Sequence, residues 1–308
     1  MSIRPDKQIW LSNLVLTQGE NVVQTNTTIE VRPVADALGA EIHGVDLAQE
    51  LTDEVFAQIR QAFWDYNVIF FRDQTLSPEQ HITFAERWNT INVNRFFKPY
   101  EGYPQIAEVR KEPDQEKNIG RSWHTDHSYD QVPAMASILY AKEVPDTGGD
   151  TLFASMHAAY DSLSVGLRET LESLNAVHSS RHVFGRPRGE NTNGKVDDRV
   201  GNPDLAQQDA LHPVVIRHPD TGRKALYVNS NFTVRIDGWT EQESRSLLDF
   251  LYTHAANPEF TCRFRWKKGS IAMWDNRSTW HRALNDYAGH LRYMHRITLE
   301  GVELSGVA

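Results

Sequence analysis

Trp123-His124-Thr125-Asp126, answered far downstream by Trp280-His281, is the stretch of this 308-residue chain on which the reading of the fold turns. Two imidazoles and one carboxylate can cap one face of a divalent metal and leave three positions open, an arrangement that suits non-heme Fe(II) oxygenases. His124 and Asp126 stand two residues apart, so on a strand both side chains leave the same face. His281 follows Asp126 by 155 residues (281 − 126) and must come from the other end of the fold. In a chain with 13 histidines a single His-x-Asp pair carries little by itself. The residues beyond His281 add the weight.

Leu291-Arg292-Tyr293-Met294-His295-Arg296-Ile297-Thr298-Leu299 alternates and reads as a strand on which residues 292, 294 and 296 share a face. Two guanidinium groups turned into one apolar interior are costly unless paired. Anionic ligands gripped in a bidentate fork would resolve the charge, and so would an internal ion pair with Asp or Glu.

Apolar and charged contents of 40% and 24% are ordinary for a globular protein that buries a large core. A net charge of −9 argues against nucleic acid and against anionic membrane surfaces as partners. An anionic small molecule would therefore be held by local arginines. Cys262 is the sole cysteine, so no intrachain disulfide is possible. This fits a reducing, cytoplasmic setting. Residues 1–24 lack the apolar core of a secretory signal, and no run of about 18 apolar residues could span a bilayer.

The periodicity predicts helices over 52–66, from Ser77 onward, over 155–174 and over 240–254. Thr52 and Thr240 read as N-caps, and Ser77-Pro78-Glu79-Gln80 as a capping box with proline at the first position. Strands are expected at 29–34, 68–71, 135–141, 176–183, 213–217, 225–229, 260–266, 270–275 and 292–299. Many short strands with peripheral helices indicate a mainly β, jelly-roll barrel. Residues 1–28 read as an N-terminal arm, mobile or a dimer-contact strand, and 29–308 as one domain. Residues 185–208, rich in Gly, Pro, Asn, Asp and Arg, read as a lid over the barrel mouth or as an idle surface insertion.

Further motifs, Gly148-Gly149-Asp150-Thr151-Leu152-Phe153, Trp274-Asp275-Asn276-Arg277-Ser278-Thr279-Trp280-His281-Arg282 and Met294-His295-Arg296, complete a pattern. From about Thr28 to Glu300 the chain resembles the taurine dioxygenase family of Fe(II)/2-oxoglutarate enzymes, which includes the aryloxyalkanoate dioxygenases. The resemblance implies a cupin-like double-stranded β-helix. It implies His124, Asp126 and His281 as iron ligands, with 2-oxoglutarate and O2 as co-substrates. Thr151 and Arg292 match the residues that hold the far carboxylate of 2-oxoglutarate, and Arg296 matches the arginine for the anionic head of the primary substrate. The family commonly forms dimers or tetramers.

Lined up by spacing, Phe184 and Phe232 match aromatic residues that face the substrate. Asn94, Phe97 and Gly120 stand where polar residues receive the amino end of taurine. The pocket thus loses donors and acceptors and gains an aromatic wall, which disfavours an ammonium group. A hydrophobic or aromatic organic acid of the aryloxyalkanoate kind is the expected substrate. An alkyl sulfate, an alkyl sulfonate or taurine is the alternative, and His127 would add a polar contact or simply pack. Stretches 177–185 and 260–268 resemble the aryloxyphenoxypropionate branch. Asp275 and Asn276 are candidates to orient the metal-binding histidines. A non-oxygenase cupin, with a metal serving isomerase or hydrolase chemistry, is the rival class, but it leaves Thr151 and Arg292 without a task.

Overall fold

Val68-Ile69-Phe70-Phe71 is buried at every position because it lies inside a sheet covered on both sides. It runs parallel to Ala40–His43 and antiparallel to Ile271–Asp275. Its side chains alternate between two cores. Ile69 and Phe71 pack with Val55, Ile59, Phe63 and Phe84 from helices, whereas Val68 and Phe70 pack with Phe153 and Phe264 from a second sheet and with Trp266 just beyond it. Phe70 stacks on Phe264 with ring centroids 4.1 Å apart. The computed structural model describes residues 28–185 and 199–307.

The larger sheet has nine strands. Its order is Glu30–Pro33, Ala40–His43, Val68–Phe71, Ile271–Asp275, Ala136–Glu143, Arg292–Leu299, Tyr103–Lys111 and Pro99–Tyr100, with Ile91–Asn92 also pairing Arg292–Leu299. Facing it, Thr151–Ser155 runs between Thr261–Phe264 and Thr279–Ala283. Asn175–Ser179 runs between Asp209–Pro213 and Thr233–Ile236, and Val215–Arg217 pairs Lys224–Leu226. The two-layered result is a jelly roll, a double-stranded β-helix. Helices Asp53–Tyr66 and Pro78–Glu86 cover the outer face of the large sheet. Among the described residues no helix is long and apolar enough to cross a membrane.

The helix starts lie where the sequence places them. Thr52 accepts from the Val55 N–H, and complete capping boxes form at Ser77/Gln80 and Thr240/Glu243. Each such cap contributes about 1 kcal/mol.

Five expected elements differ. The strand over 260–266 is Thr261–Phe264, because Phe260 closes a 3-10 turn, Pro258–Phe260. The helix over 155–174 is two, Met156–Asp161 and Val165–Glu172. Ser162 Oγ donates to the Ala159 carbonyl, and buried Leu163 pins the break. The strand over 176–183 ends at Ser179, whose hydroxyl accepts from the Arg181 N–H and starts a helical turn, Arg181–Phe184. The strand over 213–217 is split, with Pro213 ending one strand and Val215 beginning another in a different sheet. The strand over 225–229 is Lys224–Leu226, and residues 227–229 instead lead into a tight turn. There the Asn229 amide oxygen accepts from Asn231 and Phe232 N–H groups. The expected arm lies, but for residue 28, outside the described residues, as does most of the expected lid. Within the latter, Val200 bridges to Phe97 and Pro203–Leu205 forms a 3-10 turn.

Candidate active site

His124 and His281 face each other as a hydrogen-bonded backbone pair. The His124 N–H donates to the His281 carbonyl at 3.2 Å, and the return bond is 2.8 Å. Their rings lie 4.1 Å apart between centroids. His281 is carried by strand Thr279–Ala283, beside Thr151–Ser155. The expectation that His124 and Asp126 share one strand does not hold. His124 is an isolated bridge, and Asp126 opens a turn in which His127 adopts φ 59°. Asp126 Oδ1 lies 3.7 Å from His124 Nε2 and 3.9 Å from His281 Nε2. All three groups are buried, and one ion could engage one atom from each.

A chain of polar contacts presents Oδ1 inward. Ser137 Oγ donates to Asp126 Oδ2 at 2.8 Å, and Asn276 Nδ2 donates to Ser137 Oγ at 3.1 Å. Asn276 Oδ1 accepts from the Asp126 N–H at 3.3 Å and from Trp274 Nε1 at 2.9 Å. Thr125 Oγ1 donates to the Asn276 carbonyl. Asn276 therefore supports Asp126 rather than a histidine. His124 Nδ1 is oriented by the Ser122 carbonyl at 2.8 Å. Asp275 belongs elsewhere, held by Arg277 and by His218 Nε2 at 2.9 Å.

The electrostatics suit a cation. Burial lowers the pKa of His124, and burial together with neighbouring His124 lowers that of His281 further. Both imidazoles are thus kept neutral with lone pairs available. Burial alone would raise the Asp126 pKa, but Arg296 and the surrounding histidines hold it well below the usual carboxylate range. Among the described residues, His281 Nδ1, Arg292 Nη2 and Arg296 Nε are buried without a hydrogen-bond partner, which marks a site built for something more than these side chains.

Arg292 and Arg296 project from the last strand of the large sheet, only 5% and 7% exposed. Arg292 Nε donates to the Gly149 carbonyl at 3.1 Å. Its guanidinium carbon lies 5.7 Å from the Trp266 ring. Trp266 Nε1 donates to Thr151 Oγ1 at 2.9 Å, so the Thr151 hydroxyl keeps its own proton to give. Arg296 Nη1 lies 3.4 Å from Asp126 Oδ1, and its guanidinium carbon is 4.3 Å from the Phe97 ring centroid.

These groups open onto a cavity of about 490 Å³ that His124, Asp126, His281, Thr151, Arg292 and Arg296 all line. Such a volume is in the range that accepts drug-sized molecules, about 300–1,000 Å³. Phe97, Tyr129, Phe184 and Phe232 form one wall. Tyr129 and Phe232 meet edge to face at 4.8 Å, and Phe184 stacks on Phe96 behind it at 4.3 Å. Asn94 does not line the cavity. Its Oδ1 accepts from the N–H groups of Phe96 and Phe97 at 2.9 and 3.0 Å. That fixes the amide, so Nδ2 donates to His127 Nε2 at 3.1 Å, while His127 Nδ1 donates to Asp130 at 2.9 Å. His127 borders the cavity with both nitrogens already engaged. Gly120, at φ +78°, lies so close that an added Cβ would touch His124 Cε1 at 3.4 Å.

The residue-by-residue reading overlooked Ser137, Tyr129 and Trp266. Ser137 carried a signal, being the one serine in the buried, otherwise apolar and aromatic run Ala136-Ser137-Ile138-Leu139-Tyr140-Ala141. Trp266 carried none, because its indole meets Thr151 from 115 residues away.

The family model described as taurine catabolism dioxygenase TauD, TfdA family matches residues 30–298. An alkylsulfatase of Acinetobacter baylyi is 34% identical over 90% of this chain and 87% of its own length. An alpha-ketoglutarate-dependent sulfate ester dioxygenase of Pseudomonas putida is 33% identical over 96% of each chain. A solved taurine dioxygenase from Burkholderia xenovorans superposes with a TM-score of 0.76 at 35% identity, over 91% of this chain and 93% of that one. With a neutral imidazole pair, a buried carboxylate and two buried guanidinium groups gathered in one jelly roll, the chain belongs to the TauD, TfdA family and is a non-heme iron, 2-oxoglutarate-dependent dioxygenase.

Proposed function

We propose that this enzyme oxidises the carbon next to the sulfate oxygen of an organic sulfate ester with an apolar body, and so releases inorganic sulfate. The observation that carries the reading is Arg296, a buried guanidinium whose Nε has no partner among the described residues, which borders the ligand set and packs against an aromatic wall. An anionic head on Arg296 and an apolar body along Phe97, Phe184 and Phe232 would satisfy both. The wall alone would serve an aryloxyalkanoate equally well. The two relatives named for sulfate esters favour the sulfate.

His124, Asp126 and His281 would hold the metal. Thr151 and Arg292 would hold the far carboxylate of 2-oxoglutarate, with Trp266 behind them. Bound Fe(II), with 2-oxoglutarate and O2, supplies the oxidising power for C–H hydroxylation and yields succinate and CO2. Arg296 sets which carbon is nearest the metal, and the aromatic wall excludes water from the reacting carbon. Hydroxylation of a carbon that bears a sulfate oxygen leaves a product that collapses to a carbonyl compound and sulfate.

The test is a screen for succinate release with Fe(II), 2-oxoglutarate and a panel of alkyl sulfates, aryl-alkyl sulfates, alkyl sulfonates, aryloxypropionates and taurine. Sulfate esters should give the highest kcat/KM, with one sulfate formed per succinate. An aryloxypropionate that outperforms every sulfate ester would overturn the substrate assignment.

A further inference from the structure

Asp126 Oδ1 faces three partners at once. It is the oxygen nearest both histidine Nε2 atoms, and it is also the atom that Arg296 Nη1 approaches at 3.4 Å. Oδ2 is already taken by the Ser137 hydroxyl. An ion held by His124, Asp126 and His281 would therefore draw on the same oxygen that Arg296 Nη1 approaches.

We infer that Arg296 couples metal binding to the binding of the substrate anion, by competing for Asp126 Oδ1 until an anion draws it away. The inference rests on the assignment of the ligand set and of Arg296 made above. Three effects share one sign. A divalent ion on Oδ1 weakens the hold of that oxygen on Arg296, leaving a buried guanidinium that needs a counter-anion. Arg296 without an anion repels the ion across a short, desolvated gap. An anion on Arg296 neutralises that repulsion and frees Oδ1. Phe97 strengthens the device, because it holds the guanidinium on its ring face and limits retreat toward solvent. By linkage the coupling is reciprocal: metal loading must tighten the anion as much as the anion tightens the metal. The enzyme would thus assemble the full site chiefly when substrate is present, with no moving domain required.

The experiment needs no turnover. Mn(II) affinity is measured by electron paramagnetic resonance, in the absence of 2-oxoglutarate and O2, with and without hexyl sulfate, on wild type and Arg296→Gln. Hexyl sulfate should tighten Mn(II) on wild type by roughly 5-fold or more, the lower end of typical couplings between sites. Without hexyl sulfate, Arg296→Gln should bind Mn(II) more tightly than wild type, and added hexyl sulfate should then change little. Circular dichroism checks that the variant is folded, and Arg296→Lys, which keeps the charge, should keep Mn(II) affinity near the wild-type value. An Arg296→Gln affinity for Mn(II) no higher than that of wild type overturns the coupling. So does a bound hexyl sulfate, seen by calorimetry, that leaves wild-type Mn(II) affinity unchanged. A wild-type protein that does not bind Mn(II) would instead overturn the ligand set. A protein that binds Mn(II) but never hexyl sulfate would overturn the sulfate ester reading, and the two variants would still decide the coupling.

Discussion

Trp266 Nε1 donates to Thr151 Oγ1 at 2.9 Å, and the same indole lies 5.7 Å from the guanidinium carbon of Arg292. One buried side chain thus orients both groups assigned to the far carboxylate of 2-oxoglutarate. Phenylalanine in its place would keep the ring beside Arg292 and remove only the N–H. One ordinary hydrogen bond contributes about 0.5–1.5 kcal/mol, so Trp266→Phe should raise the KM for 2-oxoglutarate roughly 2- to 12-fold. The KM for the sulfate ester should stay near wild type. Steady-state kinetics with each substrate varied in turn decide this, and an unchanged KM for 2-oxoglutarate would remove Trp266 from the co-substrate site.

Ser137 is the hydroxyl that fixes Asp126 Oδ2 and leaves Oδ1 for the ion. Partners of this kind are typically worth roughly 10- to 100-fold in metal affinity. Ser137→Ala should weaken Mn(II) binding toward the lower end of that range, since Asn276 still contacts the Asp126 N–H. Wild-type affinity in this variant would show that the turn alone positions the carboxylate.

Phe97 carries the Arg296 guanidinium on its face at 4.3 Å. Leucine would retain an apolar wall and lose the ring quadrupole. Cation–π contacts contribute about 0.5–2 kcal/mol, which predicts a KM for the sulfate ester raised roughly 2- to 30-fold in Phe97→Leu. The KM for 2-oxoglutarate should be unaffected. Equal rises in both constants would point to general collapse of the pocket.

His81 is 1% exposed, and neither of its ring nitrogens has a hydrogen-bond partner among the described residues. Burial, with His295 and Lys142 nearby, pushes its pKa down to about 3, against about 6.5 when unfolded. His157 and His295 are lowered to about 4, also chiefly by burial. The sign follows from linkage. Above about pH 6.5 both states are neutral and nothing is lost. As pH falls below that value, the unfolded chain binds protons that the folded chain refuses, so stability drops by up to about 1.4 kcal/mol per pH unit for each such histidine. Urea unfolding of metal-free protein at pH 7.5 and pH 5.0 should show this loss, and His81→Leu should lose less than wild type across the same interval. Parallel losses in the two proteins would refute the assignment to His81.

Much of the site was legible in the chain because its chemistry is carried by residue types that are costly to bury. His124, Asp126 and His281 announce a ligand set, and two arginines on one face of a closing strand announce anions. A short continuous apolar run and capping signals likewise located strand Val68–Phe71 and the starts of the helices at Thr52, Ser77 and Thr240. These readings depend on local sterics and on the cost of desolvation, and both are written into short stretches of sequence.

Other features depend on what lies opposite in space. His124 sits in a bridge and Asp126 at the start of a turn with left-handed His127, where a continuous strand was expected. Asn94 turned inward to cap its own loop, away from the cavity. Trp266 meets Thr151, and Arg296 shares an oxygen with the metal ligands, only because two sheets close on each other. Residue type and spacing by themselves determined which groups must be paired. Tertiary packing decided which atom pairs with which, because a hydrogen bond is settled within a few tenths of an ångström and linear order does not carry that distance.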